Sequence, residues 1–124
     1  MAIETSTHNP VAASAAATRA ARIAALNDAL RWTFDRGRVM ISAGVSALPE
    51  ATRSAVLAAV QGFDAFGPDN DPHREHDYGA VEVGVRHCFW KIDTYDRDLR
   101  GHSLDPFNPA VTTRILTVML TKEY

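Results

Sequence analysis

The sequence predicts an α+β fold, in which about three helices pack on a small antiparallel sheet of about three strands. Three observations predict it. Apolar residues recur at helical spacing in two early segments, two valine- and aromatic-rich runs flank a glycine, and 124 residues suffice for one core only. Hydrophobic residues at 46% and charged residues at 23% are typical of a globular protein.

The start of the chain differs from the rest in composition. Residues 1–17 are rich in Ala, Ser and Thr and nearly lack large apolar side chains, so their packing can offset little of the entropy lost on ordering. We therefore expect a mobile tail over residues 1–17 and a single globular domain over residues 18–124.

Helical spacing predicts two helices in the first half of the chain. The first is expected to end near Gly37. Arg31 and Asp35, four positions apart, are expected to pair on its solvent-exposed face. The second begins at Pro49 and ends before Gly67. The apolar stripes consist of Ile23, Leu26, Leu30 and Phe34 in the first helix and Val56, Val60 and Phe63 in the second.

The predicted strands are a short segment and a β-hairpin. RVMIS (38–42) is partly β-branched and lies between two glycines, as a short strand would. YGAVEV (78–83) and VRHCFWKIDTY (85–95) are separated by Gly84, which fits the first central position of a type II′ turn.

Placing the turn at residues 84–85 defines the pairing of the hairpin. The absent side chain at Gly79 then leaves room for the indole of Trp90. Cys88, Trp90 and Ile92 are expected to face the core. The register pairs Val83 with Arg86, Glu82 with His87, Val81 with Cys88, Ala80 with Phe89, Gly79 with Trp90, Tyr78 with Lys91 and, before the strand, His76 with Asp93.

The last segment, NPAVTTRILTVMLTKEY, follows a polar loop with two prolines. Asn108 suits an N-cap and Pro109 the first helical position, which predicts a terminal helix. The β-branched content keeps a strand open as the alternative over residues 110–121.

The segment DNDPHREHDYG (69–79) places four acids and two histidines at the mouth of the hairpin. Beside Asp93, the imidazole of His76 gains basicity and a fixed tautomer, which both general-base catalysis and metal binding need. The candidate catalytic residues are Glu75, as the base, and Lys91. A divalent ion, Zn²⁺ or Mn²⁺, is expected to take four ligands: His73, His76, Asp77 and Asp93.

Two other interpretations of this segment stay open. His73 and His76 are three apart, and Pro72 disfavours a helix, so no established metal signature is present. In one alternative, residues 69–71 form Asx turns and a bond between His76 and Asp93 merely fastens the loop to the sheet. The other alternative is catalysis without a metal.

Negative charge is concentrated in the middle of the chain. Ten of the fifteen acidic residues lie between Asp64 and Asp105, against five basic residues, although the net charge of the chain is only -2. Such a segment attracts a metal ion or a basic partner, or is simply a hydrated surface. The overall balance argues against direct nucleic-acid binding by counterion release. The candidate binding residues are Asp69, Asp71, Glu75, Asp77, Asp93, Asp96 and Asp98.

Cysteine content and hydropathy predict a soluble cytoplasmic protein. Cys88 is the single cysteine, so no internal disulfide forms, and its place on the core side favours a packing role. No apolar run approaches the roughly 20 residues that span a bilayer. Phe89 and Tyr95 face away from the core, so we expect either a helix or a second copy of the chain, in a homodimer, to cover them.

Three further stretches carry a family resemblance: FWKIDTYDRDL (89–99), DPFNPAVTTRILTVML (105–120) and the closing KEY. Together with the acidic segment they resemble a small bacterial family known as domain of unknown function 3768, over roughly residues 23–124. Tyr78, Thr94 and Asn108 depart from the family pattern, but the acids and histidines of the candidate site do not.

The resemblance assigns no catalytic residue. Members are similar to accessory proteins of bacterial plasmids and other mobile elements, which implies a role against host defence. One hypothesis is thus a non-catalytic interaction protein, anti-restriction or anti-CRISPR in kind, whose acidic middle binds a basic surface of a nuclease or nucleic-acid-binding complex and which needs no cofactor. The alternative is a small metal-dependent hydrolase or nuclease that uses the cluster of His73, Glu75, His76, Asp77 and Asp93.

Overall fold

A computed structural model describes residues 10–124 and shows an α+β fold. The four strands form one mixed sheet in the order β1-β4-β3-β2, in which β1 runs parallel to β4 and the other neighbours are antiparallel. The fold class is confirmed, but the sheet has one strand more than predicted and is not purely antiparallel. The elements are α1 (Pro10–Thr33), β1 (Arg38–Ile41), α2 (Ala43–Ser46), α3 (Glu50–Gln61), β2 (Tyr78–Val83), β3 (Arg86–Asp96), β4 (Thr112–Leu120) and a short 3₁₀ helix (Thr121–Glu123).

Helix α1 begins earlier than the sequence predicts. It starts at Pro10, so residues 10–17, assigned above to a mobile tail, are helical. Alanine has the highest helix propensity of all residues, and this outweighs the lack of large side chains. The predicted tail over residues 1–9 lies outside the described residues. Within residues 10–124, no helix is both long and apolar enough to cross a membrane.

Helix α1 also ends earlier than predicted. Its last residue is Thr33, and Phe34 then adopts a left-handed φ of 61°, a conformation that ends a helix. Gly37, the predicted stop, serves a different purpose. A Cβ at this position would lie 2.7 Å from the backbone oxygen of Arg114, so the glycine lets the chain pass close to β4.

Helix α3 starts where the sequence predicts, at Glu50 after Pro49, and ends at Gln61 rather than near Gly67. Val56 and Val60 are buried as predicted. Phe63 lies beyond the helix end but still packs against the core. The single-turn helix α2, which the sequence analysis does not predict, is capped by the hydroxyl of Ser42, which accepts from the backbone N–H of Val45.

The predicted hairpin register is confirmed at every pair from Tyr78 with Lys91 to Val83 with Arg86. Gly84 has the positive φ, 61°, that the first central position of the turn requires. The predicted fit of an indole against a glycine is also confirmed. A Cβ at Gly79 would lie 2.6 Å from Nε1 of Trp90.

The C-terminal segment is a strand, so the prediction of a terminal helix is wrong. β4 lies between β1 and β3 and pairs with both. Asn108 does not cap a helix, because its Oδ1 accepts from the backbone N–H of Ala110 at 3.0 Å in a turn. From Thr112 to Leu120 every second residue is buried, as in a strand covered on one face. The β-branched residues favour this conformation.

The core lies between the sheet and helices α1, α2 and α3. Trp90 is fully buried at its centre, and Cys88 is buried as predicted. The other buried members of the core are Leu30, Val45, Leu48, Val56, Val60, Val81, Ile92, Leu116, Val118 and Leu120. The core residues of the strands occupy every second position, so their side chains point to the same face of the sheet. The three helices pack on that face.

We call the opposite face of the sheet the open face. Aromatic side chains lie over parts of it. The ring of Tyr124 lies edge-on to Phe89, with centroids 5.0 Å apart, and leaves Phe89 only 3% exposed. His102 stacks on Tyr95 with centroids 5.9 Å apart. In the described part of the chain, single rings from the C-terminus and from the loop before β4, and not a helix, lie over Phe89 and Tyr95. The alternative, a second copy of the chain over this face, stays a prediction.

Candidate functional site

The acidic segment folds as a loop that its own side chains hold together. Asp71 is buried, and its Oδ1 accepts from the backbone N–H groups of Glu75 (3.0 Å) and His76 (3.1 Å). The side chain of Asn70 accepts from the backbone N–H of Gly67 at 2.8 Å. These bonds reach three to five residues along the chain, whereas an Asx turn bonds to the residue two positions on, so the side chains do hold the loop together but not as the predicted Asx turns.

His76 lies against α1 and not beside Asp93. Its Nδ1 is 3.0 Å from Oδ1 of Asp28, and its Nε2 is 3.7 Å from Oδ2 of Asp71. Its ring stacks on Phe66 with centroids 3.9 Å apart. The predicted pairing with Asp93 is wrong because His76 adopts a left-handed φ of 56°, which turns the chain away before β2 begins. Both ring nitrogens therefore face carboxylates.

Three polar residues on α1, Asn27, Asp28 and Arg31, form hydrogen bonds that hold this loop and the segment before it. Nδ2 of Asn27 donates to the backbone oxygen of Glu75 at 2.9 Å. Nη1 of Arg31 donates to Oδ1 of Asp28 at 2.9 Å, and Nη2 donates to the backbone oxygen of Phe63 at 3.0 Å. Asn27 and Arg31 are each 1% exposed, so these bonds replace water for groups that are otherwise costly to bury.

The sequence patterns predict a different place for Arg31, on the exposed side of α1 beside Asp35. Instead its guanidinium lies over the rings of Phe66 and Trp90, 5.3 and 5.1 Å from their centroids. One signal for this arrangement exists in the sequence. Asn27 falls within the apolar stripe of the helix, and a polar side chain at such a position needs a buried partner.

Glu75 and Asp77 form a half-buried pair of carboxylates. Burial raises the pKa of Glu75, and repulsion by Asp77 raises it further. Burial also raises the pKa of Asp77, as does repulsion by Asp71 and Asp93. A weak counterion is present, since Arg19 lies 4.0 Å from Glu75. Arg19 and His73 oppose the rise for Glu75, and His73 opposes it for Asp77.

The remaining predicted residues are spread along the sheet. Nζ of Lys91 lies 3.0 Å from Oδ2 of Asp93 on the open face, and this bond raises the pKa of Lys91. Glu75 instead lies toward α1, so the predicted catalytic pair of Glu75 and Lys91 does not converge on one cleft. Asp96 accepts from the backbone N–H of Arg100 at the end of β3. Asp69, His73 and Asp98 are exposed.

Among the residues that the structure describes, no three His, Cys, Asp or Glu side chains are grouped so that they could hold a metal ion. The predicted ligand set of His73, His76, Asp77 and Asp93 is therefore not assembled as a metal centre. The physical reason is the orientation of His76, whose nitrogens face Asp28 and Asp71.

Two grooves flank the imidazole of His76. One has a volume of about 390 Å³ and lies beside the loop. The other, about 440 Å³, runs along α1 over five alanines and ends at Asp28, Arg74 and His76. Each groove borders one carboxylate, Asp71 in the first and Asp28 in the second, and Arg74 borders both.

Comparison with known proteins identifies a family for this chain but no individual relative. No curated protein and no solved structure matches it significantly. The profile of one family, described as a protein of unknown function (DUF3768), matches residues 41–123, a narrower range than the resemblance over 23–124. The match includes the acidic loop and all of the hairpin but not α1. Because it covers more than half of the 124 residues, the chain belongs to the DUF3768 family of proteins of unknown function.

Proposed function

We propose that this protein is a non-catalytic interaction protein, which binds a basic surface of a partner protein through the carboxylates around Glu75 and Asp77. One observation carries the proposal: these two carboxylates are half-buried and close to further acids, and the one ion pair that either forms among the described residues is the 4.0 Å contact of Glu75 with Arg19. Carboxylates held in this way repel each other, and a cation supplied by a partner relieves that repulsion.

The shape of the surface supports a protein partner with arginine or lysine side chains. The grooves on either side of His76 border Asp28 and Asp71, and Glu75 and Asp77 are the sequence neighbours of His76. A guanidinium has the planar set of donors that pairs with carboxylates, and its apolar stem suits a groove lined by alanines. A nuclease or another nucleic-acid-binding complex presents such side chains on its working surface. Anti-restriction or anti-CRISPR action is the form of this binding that we propose.

The bonds within the site favour binding over catalysis. Nδ1 of His76 is bonded to Asp28, and Nε2 faces Asp71 at 3.7 Å, so the imidazole points at carboxylates of this chain and not into a cleft shared with Lys91. The amine of Lys91 is bonded to Asp93 on the open face. The groups that an enzyme would need to point into one cleft are thus occupied in holding the loop and the sheet.

The proposal is tested by capture from the basic proteins of a cell lysate, enriched first on heparin. The bait is the tagged protein as wild type, as the double variant Glu75→Gln/Asp77→Asn, and as the matched control Asp64→Asn/Glu82→Gln. The control removes the same charge from two exposed acids elsewhere. We expect a protein that wild type and control retain and the first variant loses, and whose release increases as salt rises to about 0.5 M.

The captured protein is then identified, purified and titrated with all three baits. An affinity that falls with salt, and that the Glu75→Gln/Asp77→Asn variant lowers by at least about tenfold, supports the proposal. Equal retention by all three baits would contradict it. Calorimetry with Mn²⁺ and Zn²⁺ tests the hydrolase alternative. A binding heat in wild type that is lost in His76→Ala would favour the metal enzyme instead.

A further inference from the structure

Arg114, on β4, is a buried arginine whose charge has no acidic partner. It is 4% exposed, and among the described residues no carboxylate forms an ion pair with it. Its Nε donates to Oδ1 of Asn27 at 2.8 Å, and its Nη2 donates to the backbone oxygen of Pro106. Both acceptors are neutral. They satisfy two donors of the guanidinium but supply no negative charge to pair with it.

Burial of Arg114 disfavours its charged form, and the pKa of the guanidinium changes accordingly. Burial lowers the pKa of Arg114, and the charge of the Glu75 carboxylate opposes the shift. Nη1 makes no hydrogen bond with any of the residues that the structure describes and is not fully buried. A guanidinium with an accessible donor and no ion-pair partner is a group that an anion would stabilise.

Arg114 lines a cavity between α1 and β4 that has a volume of about 170 Å³. A second arginine, Arg36, stands at the edge of this cavity. Its side chain is 72% exposed, and its one acidic contact is Asp35, 3.6 Å away and almost as exposed. An ion pair of this kind contributes little, so Arg36 keeps most of its attraction for another anion. The other lining residues are Leu26, Ala29, Pro109 and Thr112.

The size of the cavity limits what it can hold. Sites for drug-sized ligands occupy roughly 300 to 1,000 Å³, and this one is smaller. It nevertheless has room for several waters, since each takes about 30 Å³ in the liquid. A small charged group therefore fits, while a nucleotide does not.

We propose that the cavity between α1 and β4 binds a small oxyanion, a phosphate or a carboxylate, which Arg114 holds from the floor and Arg36 from the edge. No carboxylate of the proposed interaction surface lines this cavity. Loss of anion binding and loss of partner capture are therefore separate results, although Glu75 acts on Arg114 from a neighbouring position. An anion in this position would bridge the C-terminal part of α1 and the loop before β4.

Thermal unfolding of the full chain tests the proposal, with inorganic phosphate and, separately, acetate added at constant ionic strength. Concentrations stay below about 10 mM, where a bound ligand raises Tm along a saturation curve and general salt exclusion adds almost nothing. We expect Tm of the wild type to rise and saturate. A response to acetate alone identifies a carboxylate ligand, and a response to phosphate identifies a phosphate.

Two surface arginines separate the cavity from general charge effects. Arg36→Gln should weaken the apparent affinity by about threefold to tenfold, because it removes one of two cations. Arg38→Gln removes an exposed charge on β1 outside the cavity and should leave the affinity unchanged. Neither residue is buried, so both variants should fold.

A spectroscopic measurement locates the anion directly. In ¹⁵N-labelled protein, the arginine Nε–H signals of Arg114 and Arg36 should shift most along the same saturation curve. The proposal is overturned if the wild type shows no Tm response to either anion. It is equally overturned if Arg36→Gln responds as the wild type does, or if the largest shifts belong to other arginines.

Discussion

The imidazole of His76 and the carboxylate of Asp28, 48 positions apart in the chain, lie 3.0 Å apart and join the acidic loop to helix α1. Asp28 also accepts from Arg31, whose guanidinium lies over Phe66 and Trp90. One carboxylate thus links the loop to the centre of the core. The shape of the proposed interaction surface depends on this link, and the first prediction tests it.

Replacing His76 by alanine should destabilise the protein by about 1 to 3 kcal/mol, because the change removes a bond to a charged group and the stacking on Phe66. Asp28→Ala should cost more, since the buried guanidinium of Arg31 then loses its ion-pair partner. Urea unfolding followed by circular dichroism measures both. His73→Ala, an exposed histidine in the same loop, is the control. A loss in the control as large as in His76→Ala would contradict the assigned role of the link.

The raised pKa values of Glu75 and Asp77 predict that these two groups lower stability as pH rises. Their ordinary pKa values are 4.5 and 3.8, and burial raises both in the folded protein. The folded state then binds more protons than the unfolded state from about pH 4 up through the raised values, so stability falls across that window.

The variant Glu75→Gln/Asp77→Asn should therefore lose less stability than the wild type between acidic and neutral pH. Urea midpoints measured across this range give the comparison. Asp64→Asn/Glu82→Gln removes two exposed acids and should follow the wild type. A steeper fall in the first variant would show that the two carboxylates stabilise the fold, contrary to the prediction.

Gly79→Ala should destabilise the protein by about 1 to 3 kcal/mol, because the core there has no space for a methyl group. The new Cβ would lie 2.6 Å from Nε1 of Trp90 and 2.7 Å from the ring of Phe63. Gly62→Ala is the matched control, since its Cβ would meet only the oxygen of Ala58, at 3.5 Å. Thermal and urea unfolding should show a loss for the first substitution and almost none for the second.

Glu123 should stabilise the fold in the opposite pH direction. The Ser42 hydroxyl and the backbone N–H groups of Leu120 and Gly44 bond to its carboxylate and lower its pKa. A depressed folded pKa contributes stability above the ordinary pKa of 4.5, and this contribution is lost as pH falls through the depressed value.

Glu123→Gln should therefore be less stable than the wild type at neutral pH and approach it in acid. Unfolding midpoints at several pH values provide the measurement. Asp98→Asn, a change at an exposed acid in the turn after β3, should leave the profile unchanged. A constant difference between Glu123→Gln and the wild type at every pH would speak against the ionised form as the stabilising one.

The parts of the fold that local patterns predict are those in which neighbours in sequence are neighbours in space. Alternation across a two-residue turn leaves one register for the hairpin that buries Trp90, and that register is the observed one. The apolar spacing of α3 likewise places Val56 and Val60 in the core. In both cases the burial of one face decides between the local alternatives.

The errors concern contacts between distant segments. NPAVTTRILTVML suits the start of a helix at Asn108 and a strand from Thr112, and only pairing with β1 and β3 decides in favour of the strand. His76 bonds to Asp28 because its own left-handed φ directs the loop toward α1. Local sequence patterns do not predict that α1 lies beside this loop. The candidate site depends on such contacts and was therefore predicted less well than the hairpin.

The position of β4 affects how the chain folds as it is synthesised. β1 and the hairpin join only through β4, although β4 follows both in sequence. Until β4 leaves the ribosome, the nascent chain exposes the unpaired edges of β1 and β3, which are features that chaperones recognise and that promote aggregation. Completing the sheet requires closure of a long loop between β1 and β4, so insertion of β4 should be the slow step of folding.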